Sequence, residues 1–352
     1  MASLTEEIKE KWAKLKKMGT LRFEVTERCN LRCVHCYVGN RGQKKSFKHS
    51  SLSLEKYREV LRQAKEQGAY RVELTGGEPF IYPGLKELCQ LSKDLNFMVA
   101  IYTNATLITE ETAAWLEEVG VNLLIITNYG TEKSFYEKTT RVAGSRARFV
   151  EAIKILKKYD ILFKQQFMLL TTNQKNRQDL FDVCKPRVGV RIMPETQSDN
   201  PVYYRASDQA IKDVFKLKYY YHLDKGDTVK IKQSRPLAED PVCNMGRESL
   251  LIGVEGQVKY CTNSPVIGSV YQESLAEIWQ GKNLEKARNK ILWKYFEKCQ
   301  NCHLSEYRYS LCPVLNYLET KQFNNPPEEQ CRLCRLRYEA LTEGRGEKIE
   351  DE

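Results

Sequence analysis

No run of 18 or more apolar residues occurs in this 352-residue chain, so no segment is suited to span a membrane as a helix. The N-terminus, Met1-Ala2-Ser3-Leu4-Thr5-Glu6-Glu7, lacks the basic-then-apolar build of a secretory signal. The expected location is therefore cytoplasmic, with no membrane partner. The formal net charge of +10 is not gathered into one block, and no basic-aromatic reader motif accompanies it, which counts against nucleic acid as a partner. The charge reads as a solvated basic surface spread along helices or, more sharply, as a groove for an acidic partner.

Cysteine is the residue present in excess. Twelve thiols in a reducing compartment are poor candidates for structural disulfides, and their grouping into x-x-spaced pairs points to metal. Three of them, Cys29, Cys33 and Cys36, are spaced C-x-x-x-C-x-x-C directly after the alternating run Leu21-Arg22-Phe23-Glu24-Val25. A strand leading straight into three thiols puts a metal site at its C-terminal mouth. A cubic four-iron cluster takes four thiolates, and three leave one iron open. A zinc knuckle would want a fourth Cys or His nearby, and His35, adjacent to Cys36, is badly placed to serve.

Strands alternate with helices along residues 21–200. Strands are expected at Leu21–Val25, Tyr70–Leu74, Phe97–Tyr102, Asn122–Thr127, Ile161–Leu170 and Val188–Met193. Helices are expected from Ser53 to Gly68 and at Leu85–Leu95, Glu110–Val119 (closed by Gly120), Arg146–Tyr159 and Asn176–Cys184. Such alternation implies parallel crossovers, and six strands fall short of the eight of a closed barrel.

Length allows a second domain, since single domains run to about 100–200 residues. The expected plan is an amphipathic helix over 1–20, the barrel over 21–200, a last barrel helix and linker over 201–236, a cysteine-rich domain over 237–341 and a disordered tail over 342–352. Seven of the twelve cysteines lie beyond 236, where little regular periodicity remains. Cys89 and Cys184 fall at helical positions with apolar neighbours and read as core residues.

Thr75-Gly76-Gly77-Glu78-Pro79 follows the second strand at the end where parallel barrels build their sites. Glycines there expose backbone to a ligand, and Pro79 fixes the exit. Together with the thiol loop one strand earlier, this resembles the radical S-adenosylmethionine (radical SAM) superfamily. In that family the SAM amine and carboxylate chelate the open iron, and a Gly-Gly-Glu-Pro motif, matched here by Gly76, Gly77, Glu78 and Pro79, contacts the methionyl amine. The resemblance implies an α/β fold, a partial (β/α)6 TIM-like barrel followed by a small cysteine-rich iron-sulfur domain.

Thr127-Asn128-Tyr129-Gly130 stands where relatives often carry Ser-x-Asp-Gly and hold the SAM ribose, so Thr127 and Asn128 are assigned to that work despite the departure. Arg141 resembles the family's arginine before a glycine, a bidentate partner for the SAM carboxylate or, equally, a surface arginine. No motif places a catalytic acid or base.

Cys243, Cys261, Cys299, Cys302, Cys312, Cys331 and Cys334 resemble a SPASM domain, which binds auxiliary iron-sulfur clusters in peptide-modifying radical SAM enzymes, and the Gly-x-x-x-x-Cys step at 256–261 fits it. The nine residues between Cys302 and Cys312 and the eighteen between Cys312 and Cys331 are longer than that pattern. By chain order, Cys299, Cys302, Cys312 and Cys334 are expected to hold one cluster, and Cys243, Cys261 and Cys331 an incompletely ligated second one. A zinc ribbon on the two x-x pairs is the alternative.

What the resemblance implies is three 4Fe-4S clusters, reductive cleavage of SAM, and a 5'-deoxyadenosyl radical that modifies a ribosomally made peptide by cross-linking, thioether formation, epimerisation or dehydrogenation. The auxiliary clusters would accept an electron, and an external donor such as flavodoxin or ferredoxin would supply one. Twenty residues before the first strand are too few for a leader-binding domain, so leader recognition, if any, is expected to fall to the barrel or to a separate leader-binding protein as partner. The other readings are a sulfatase-maturase-like side-chain dehydrogenase and a non-enzymatic iron-sulfur electron carrier.

Overall fold

In Thr20-Leu21-Arg22-Phe23-Glu24-Val25-Thr26, every second side chain is apolar, and these residues form strand β1 (Thr20–Thr26) with Leu21, Phe23 and Val25 buried. The structure, a computed structural model, describes residues 17–36, 38, 48–185, 188–190, 204–224, 235–244, 246–308 and 311–343. Most of the expected N-terminal helix, the end of the sixth strand at 191–193, the linker over 225–234 and the tail from 344 lie outside the described residues.

The described chain forms two compact units. The first is Met1–Thr127 with Thr140–Gln165 and Asn244–Asn289. Its parallel strands are β1, β2 (Arg71–Gly76), β3 (Met98–Thr103) and β4 (Leu123–Thr127), side by side in chain order. Helices α1 (Leu54–Glu66), α2 (Leu85–Asp94) and α3 (Glu110–Val119) make the crossovers, as parallel strands require. Ser53 caps α1 by accepting the Lys56 N–H, and Gly120 closes α3 at φ 70°, a left-handed position suited to glycine. The apolar face of β1 meets α1 through Phe23, packed edge-on to Tyr57 at 5.0 Å.

Two features were not legible in the sequence. Helix α4 (Lys133–Thr140) precedes the expected helix, here α5 (Ser145–Lys158). More consequentially, β7 (Ser249–Ile252) pairs in parallel with the other edge of β1, with Leu21 opposite Leu250 and Phe23 opposite Ile252. β8 (Gln257–Lys259) and β9 (Val266–Ser269) extend this sheet antiparallel. Beyond 236, where little periodicity was expected, the chain thus supplies strands that cover the open edge of β1. Of the span 237–341, expected to be one domain, Asn244–Asn289 belongs to the first unit, and the residues up to Cys243 and from Lys290 onward belong to the second. Helices α8 (Leu275–Gln280), which carries a Ser274–Glu277 capping box, and α9 (Lys282–Asn289) complete the first unit.

The second unit comprises Asn128–Thr139, Gln166–Cys243 and Lys290–Glu352. Strand β5 (Phe163–Leu169) begins in the first unit and ends in the second, where Phe167–Leu169 pairs in parallel with β6 (Val188–Val190). Helices α6 (Arg177–Cys184), α7 (Asp208–Asp224) and α12 (Glu328–Thr342) share a core that includes Phe167, Phe181, Cys184, Phe215 and Leu333. Helix α7 contains the expected last barrel helix around Lys216–Tyr221. Cys184 here and Cys89 in α2 are buried as core residues, and burial pushes the Cys184 thiol up to about 12. Two short helices, α10 (Glu297–Gln300) and α11 (Pro313–Thr320), precede α12. The first two residues of the expected tail, Thr342 and Glu343, continue α12 and its C-cap. Among the described residues, no helix is long and apolar enough to cross a membrane.

The six consecutive parallel strands β1 to β6 are the partial barrel, and the cysteine-rich C-terminal region follows them in the chain.

Candidate functional site

Strand β1 ends at Thr26, and the chain turns at once into the thiol loop. The exits of β1 and β2 are stitched together backbone to backbone: the Gly77 N–H donates to the Thr26 carbonyl at 2.6 Å and the Glu78 N–H to the Arg28 carbonyl at 2.8 Å. This contact requires two glycines. A Cβ on Gly76, which sits at φ +135°, would meet the Thr26 carbonyl oxygen at 2.2 Å, and one on Gly77 would meet the Arg28 carbonyl oxygen at 2.0 Å. The Gly77 and Glu78 amides hold the first residues of the thiol loop. On its far side the loop is fixed by His49, whose Nδ1 lies 3.0 Å from the Thr26 hydroxyl, and by the Ser50 N–H donating to the Val25 carbonyl.

Glu78 is completely buried. Its carboxylate accepts from the Thr103 hydroxyl at 2.7 Å, the Asn104 N–H at 2.8 Å and the Phe80 N–H at 3.3 Å. Burial pushes its pKa up to about 7, although these three donors oppose the shift. The acid ties the β2 exit to the β3 exit. Pro79 begins the short 3-10 turn Pro79–Ile81 that follows, fixing the exit as expected.

The β3 exit contributes residues that motif reading missed. The Asn104 side chain donates to Cys29 Sγ at 3.7 Å and to Asn30 Oδ1 at 3.0 Å, and the Leu31 N–H donates to the same sulfur at 3.4 Å. The available signal was the run of small and polar residues Thr103-Asn104-Ala105-Thr106 closing the third strand at the functional end. Thr140 and Arg141 stand beside the loop too, because the Arg32 N–H donates to the Thr140 carbonyl at 3.0 Å. Arg141 itself is exposed, at φ 55°.

The opposite face of the strands is polar. The buried Glu73 carboxylate pairs with Arg22, pairs with Arg71 at 2.7 Å and accepts from the Tyr102 hydroxyl at 3.4 Å. Glu24, one pleat step nearer the mouth, faces Lys259 at 3.9 Å. Burial of the Arg22 guanidinium works against its charge, but Glu73, Tyr102 and the Cys261 thiol favour it, and its pKa is raised. A closed eight-stranded barrel fills this face with branched apolar side chains; a charged, half-exposed face is suited to a polar ligand. These positions were visible as the polar half of the Leu21–Val25 alternation.

Thr127 ends β4 in the first unit. Asn128 lies in the second, buried, its Oδ1 accepting the Gly130 N–H at 3.1 Å in a local turn.

In the second unit a cavity of about 140 Å³ is lined by Cys299, Cys302, Cys331 and Cys334. Cys299 and Cys302 come from α10 and the turn after it, while Cys331 and Cys334 lie one turn apart on α12, on one helix face. The expected partition is corrected here: Cys331 lines this cavity and Cys312 does not. Cys312 caps α11, and its N–H donates to Gln330 Oε1 at 3.4 Å. Chain order failed because an i, i+3 pair on a helix delivers both thiols to one place. The Cys299 thiol is pushed up to about 12 by burial and then by the charges of Cys331, Cys334 and Cys302. A cationic metal core relieves such crowding of thiolates, and the donor set and the cavity fit an iron-sulfur cluster. Lys298, Arg308 and Arg335 also line the cavity. Among the described residues no three Cys, His, Asp or Glu side chains converge closely enough to hold a single metal ion. The structure therefore gathers thiols on one loop and around one cavity without closing a single-ion set.

Comparison with known proteins bears on these two thiol groups. Residues 23–184 match the family model of the radical SAM superfamily, and residues 243–303 match the SPASM iron-sulfur cluster-binding domain. The chain is 22% identical over 298 residues to the antilisterial bacteriocin subtilosin biosynthesis protein AlbA of Bacillus subtilis (strain 168), covering 81% of this chain and 65% of AlbA, under two thirds of that protein's length. It is 23% identical over 353 residues to the AdoMet-dependent heme synthase of Methanosarcina barkeri, covering 94% of each chain. The fold is similar to that of Streptococcus suis SuiB bound to its precursor peptide SuiA, with a TM-score of 0.66, 17% identity, and 93% of this chain and 80% of SuiB covered. A radical SAM domain implies a 4Fe-4S cluster and SAM, and a SPASM region implies auxiliary iron-sulfur clusters. With its thiol loop stitched to Gly76-Gly77-Glu78 and Cys243, Cys261, Cys299 and Cys302 inside the SPASM match, the chain belongs to the radical SAM superfamily.

Proposed function

We propose that the protein reductively cleaves SAM and modifies a ribosomally made peptide. The observation that carries the reading is the joining of the Cys29–Cys33–Cys36 loop to the Gly76-Gly77-Glu78 turn through the Gly77 and Glu78 amides. Cys29, Cys33 and Cys36 would hold the barrel cluster. Cys299, Cys302, Cys331 and Cys334 would hold one auxiliary cluster, and Cys243, Cys261 and Cys312 are the thiols left for further auxiliary iron. When bound, the barrel cluster and SAM together supply a 5'-deoxyadenosyl radical able to take hydrogen from an unactivated carbon.

The chain's own residues position and shield that chemistry. The stitched β1 and β2 exits fix the loop, Arg141 beside it offers a fork for the SAM carboxylate, and Arg22, Glu24, Glu73, Tyr102 and Lys259 offer a polar face to a substrate. In this reading the auxiliary clusters accept the electron left by substrate oxidation, a flavodoxin or ferredoxin supplies the reducing electron, and the protein works in the cytoplasm. The relation to AlbA and the likeness to SuiB, whose precursor peptide is bound in its structure, favour a peptide substrate. The match to a heme synthase over 94% of both chains favours a second reading, action on a tetrapyrrole.

The deciding experiment is anaerobic reconstitution with SAM and dithionite, followed by mass spectrometry of two candidate substrates. One is the peptide encoded by any short reading frame found beside this gene, and the other is an iron porphyrin. Modification of the peptide, with 5'-deoxyadenosine released, supports the first reading. Turnover of the porphyrin alone replaces it with the second.

A further inference from the structure

We propose that Asn104 is a positioning residue for the barrel cluster, donating an N–H···S hydrogen bond to Cys29 that raises the cluster's reduction potential; this rests on the reading of Cys29 as an iron ligand. The orientation of the amide is dictated by its surroundings. Asn104 Oδ1 accepts the Thr106 backbone N–H at 2.9 Å, a group that can only donate, so the amide NH2 must point the other way. One of its hydrogens goes to Asn30 Oδ1 at 3.0 Å and the other to Cys29 Sγ at 3.7 Å.

The remaining bonds close without conflict. Asn30, having accepted from Asn104, donates its own NH2 to the Thr106 hydroxyl at 2.7 Å, and that hydroxyl donates to Asn104 Oδ1 at 2.6 Å. Each of these bonds runs from a donor to an acceptor in one direction only, so Asn104, Asn30 and Thr106 hold one arrangement. Asn104 and Thr106 are almost wholly buried, and water competes little for these bonds.

The backbone is committed to the same end. Ala105 lies at φ +62°, in the left-handed region that a residue with a Cβ rarely enters. Its N–H donates to the Thr103 hydroxyl at 2.8 Å, and the Asn104 N–H is anchored on the Glu78 carboxylate. Glu78 thus reaches the cluster loop twice, through its own N–H on the Arg28 carbonyl and through Asn104.

With iron bound, the Cys29 sulfur is an acceptor only, and the Leu31 N–H and the Asn104 amide both donate to it. Hydrogen bonds to cluster sulfurs draw off electron density and favour the reduced state. Removing the Asn104 donor therefore moves the potential to more negative values. A loaded variant becomes a stronger reductant that is harder to charge.

Asn104→Asp keeps the acceptor for the Thr106 N–H, loses the donor and places a charge near the sulfur; Asn104→Ser is neutral and too short to reach. EPR-monitored redox titration should follow the reduced signal that changes shape when SAM is added, which assigns it to the barrel cluster, with iron measured on each sample. The expected order of midpoint potentials is unsubstituted protein highest, Asn104→Ser lower, Asn104→Asp lowest. A potential unchanged in either fully loaded variant overturns the proposal. Should both variants fail to load, unsubstituted protein labelled with 15N in asparagine side-chain amides decides: a 15N hyperfine coupling on that signal supports the proposal and its absence overturns it. If the unsubstituted protein shows no SAM-responsive signal, the reading of Cys29 as an iron ligand fails instead.

Discussion

Substituting Gly77 by alanine tests whether the Gly-Gly turn works by gripping the thiol loop. The added Cβ would lie 2.0 Å from the Arg28 carbonyl oxygen, 2.6 Å from its carbon and 2.7 Å from the Glu27 carbonyl oxygen, all of them backbone atoms. No side chain can swing aside, so the β1 exit must move by about 1 Å, and a displacement of that size in a reacting assembly costs on the order of 100-fold in rate. The shift strains or breaks the Gly77–Thr26 and Glu78–Arg28 bonds. At about 0.5–1.5 kcal/mol net each, with about 1–3 kcal/mol for overpacking, the expected destabilisation is roughly 2–6 kcal/mol, concentrated at the loop. The assay pairs iron content with 5'-deoxyadenosine release under dithionite. The expected result is loss of about four of about twelve irons, with release at least about 100-fold lower. Gly120→Ala is the control: it is left-handed as well, but its Cβ would meet nothing nearer than Lys93 at 3.9 Å, and it should cost about 1 kcal/mol with both readouts intact. Full iron and normal release in Gly77→Ala would refute the backbone-grip argument.

Three further predictions follow from individual groups. Cys33→Ala should abolish 5'-deoxyadenosine release while leaving the second unit's iron in place; persistent release would remove Cys33 from the site. Cys331→Ser should lose about four irons and abolish product while some SAM cleavage continues, whereas Cys312→Ser should leave the cluster of the four-thiol cavity loaded; equal loss of that cluster in both would restore the chain-order partition. For Glu78, the folded pKa of about 7 lies above the ordinary 4.5, so the unfolded chain ionises first as pH rises. The stabilisation from holding this proton is full below about 4.5 and fades as pH rises through about 7, a loss of the order of 3 kcal/mol. Denaturant unfolding at pH 6 and pH 8 should show lower stability at pH 8, and Glu78→Gln should flatten the difference; an unchanged slope in the variant would assign the pH dependence elsewhere.

The sequence by itself determined whatever is written in short-range patterns. Alternation in Leu21–Val25, the Ser53 and Gly120 caps and the regular exchange of strand and helix follow from backbone periodicity and capping, which need no distant partner. They gave β1 to β5, the start of β6 and, apart from α4, the helices between these strands nearly to the residue. The loop thiols and Gly76-Gly77-Glu78-Pro79 were legible because they are contiguous.

Tertiary structure decided what depends on residues far apart in the chain. Strand β7 lies some 225 residues beyond β1, and its four residues carry too little pattern to announce a partner; the exposed hydrogen-bonding edge of β1 selects it. The grip of Gly77 and Glu78 on the thiol loop and the β3 exit was not legible, because the Arg28 carbonyl and the Asn104 N–H that they bond are supplied by neighbouring strand exits. Cys331 replaced Cys312 because helix geometry, rather than chain order, turns two thiols one turn apart onto one face. Asn104 carries no motif at all, and only the packing of the β3 exit against the thiol loop brings its amide to the Cys29 sulfur.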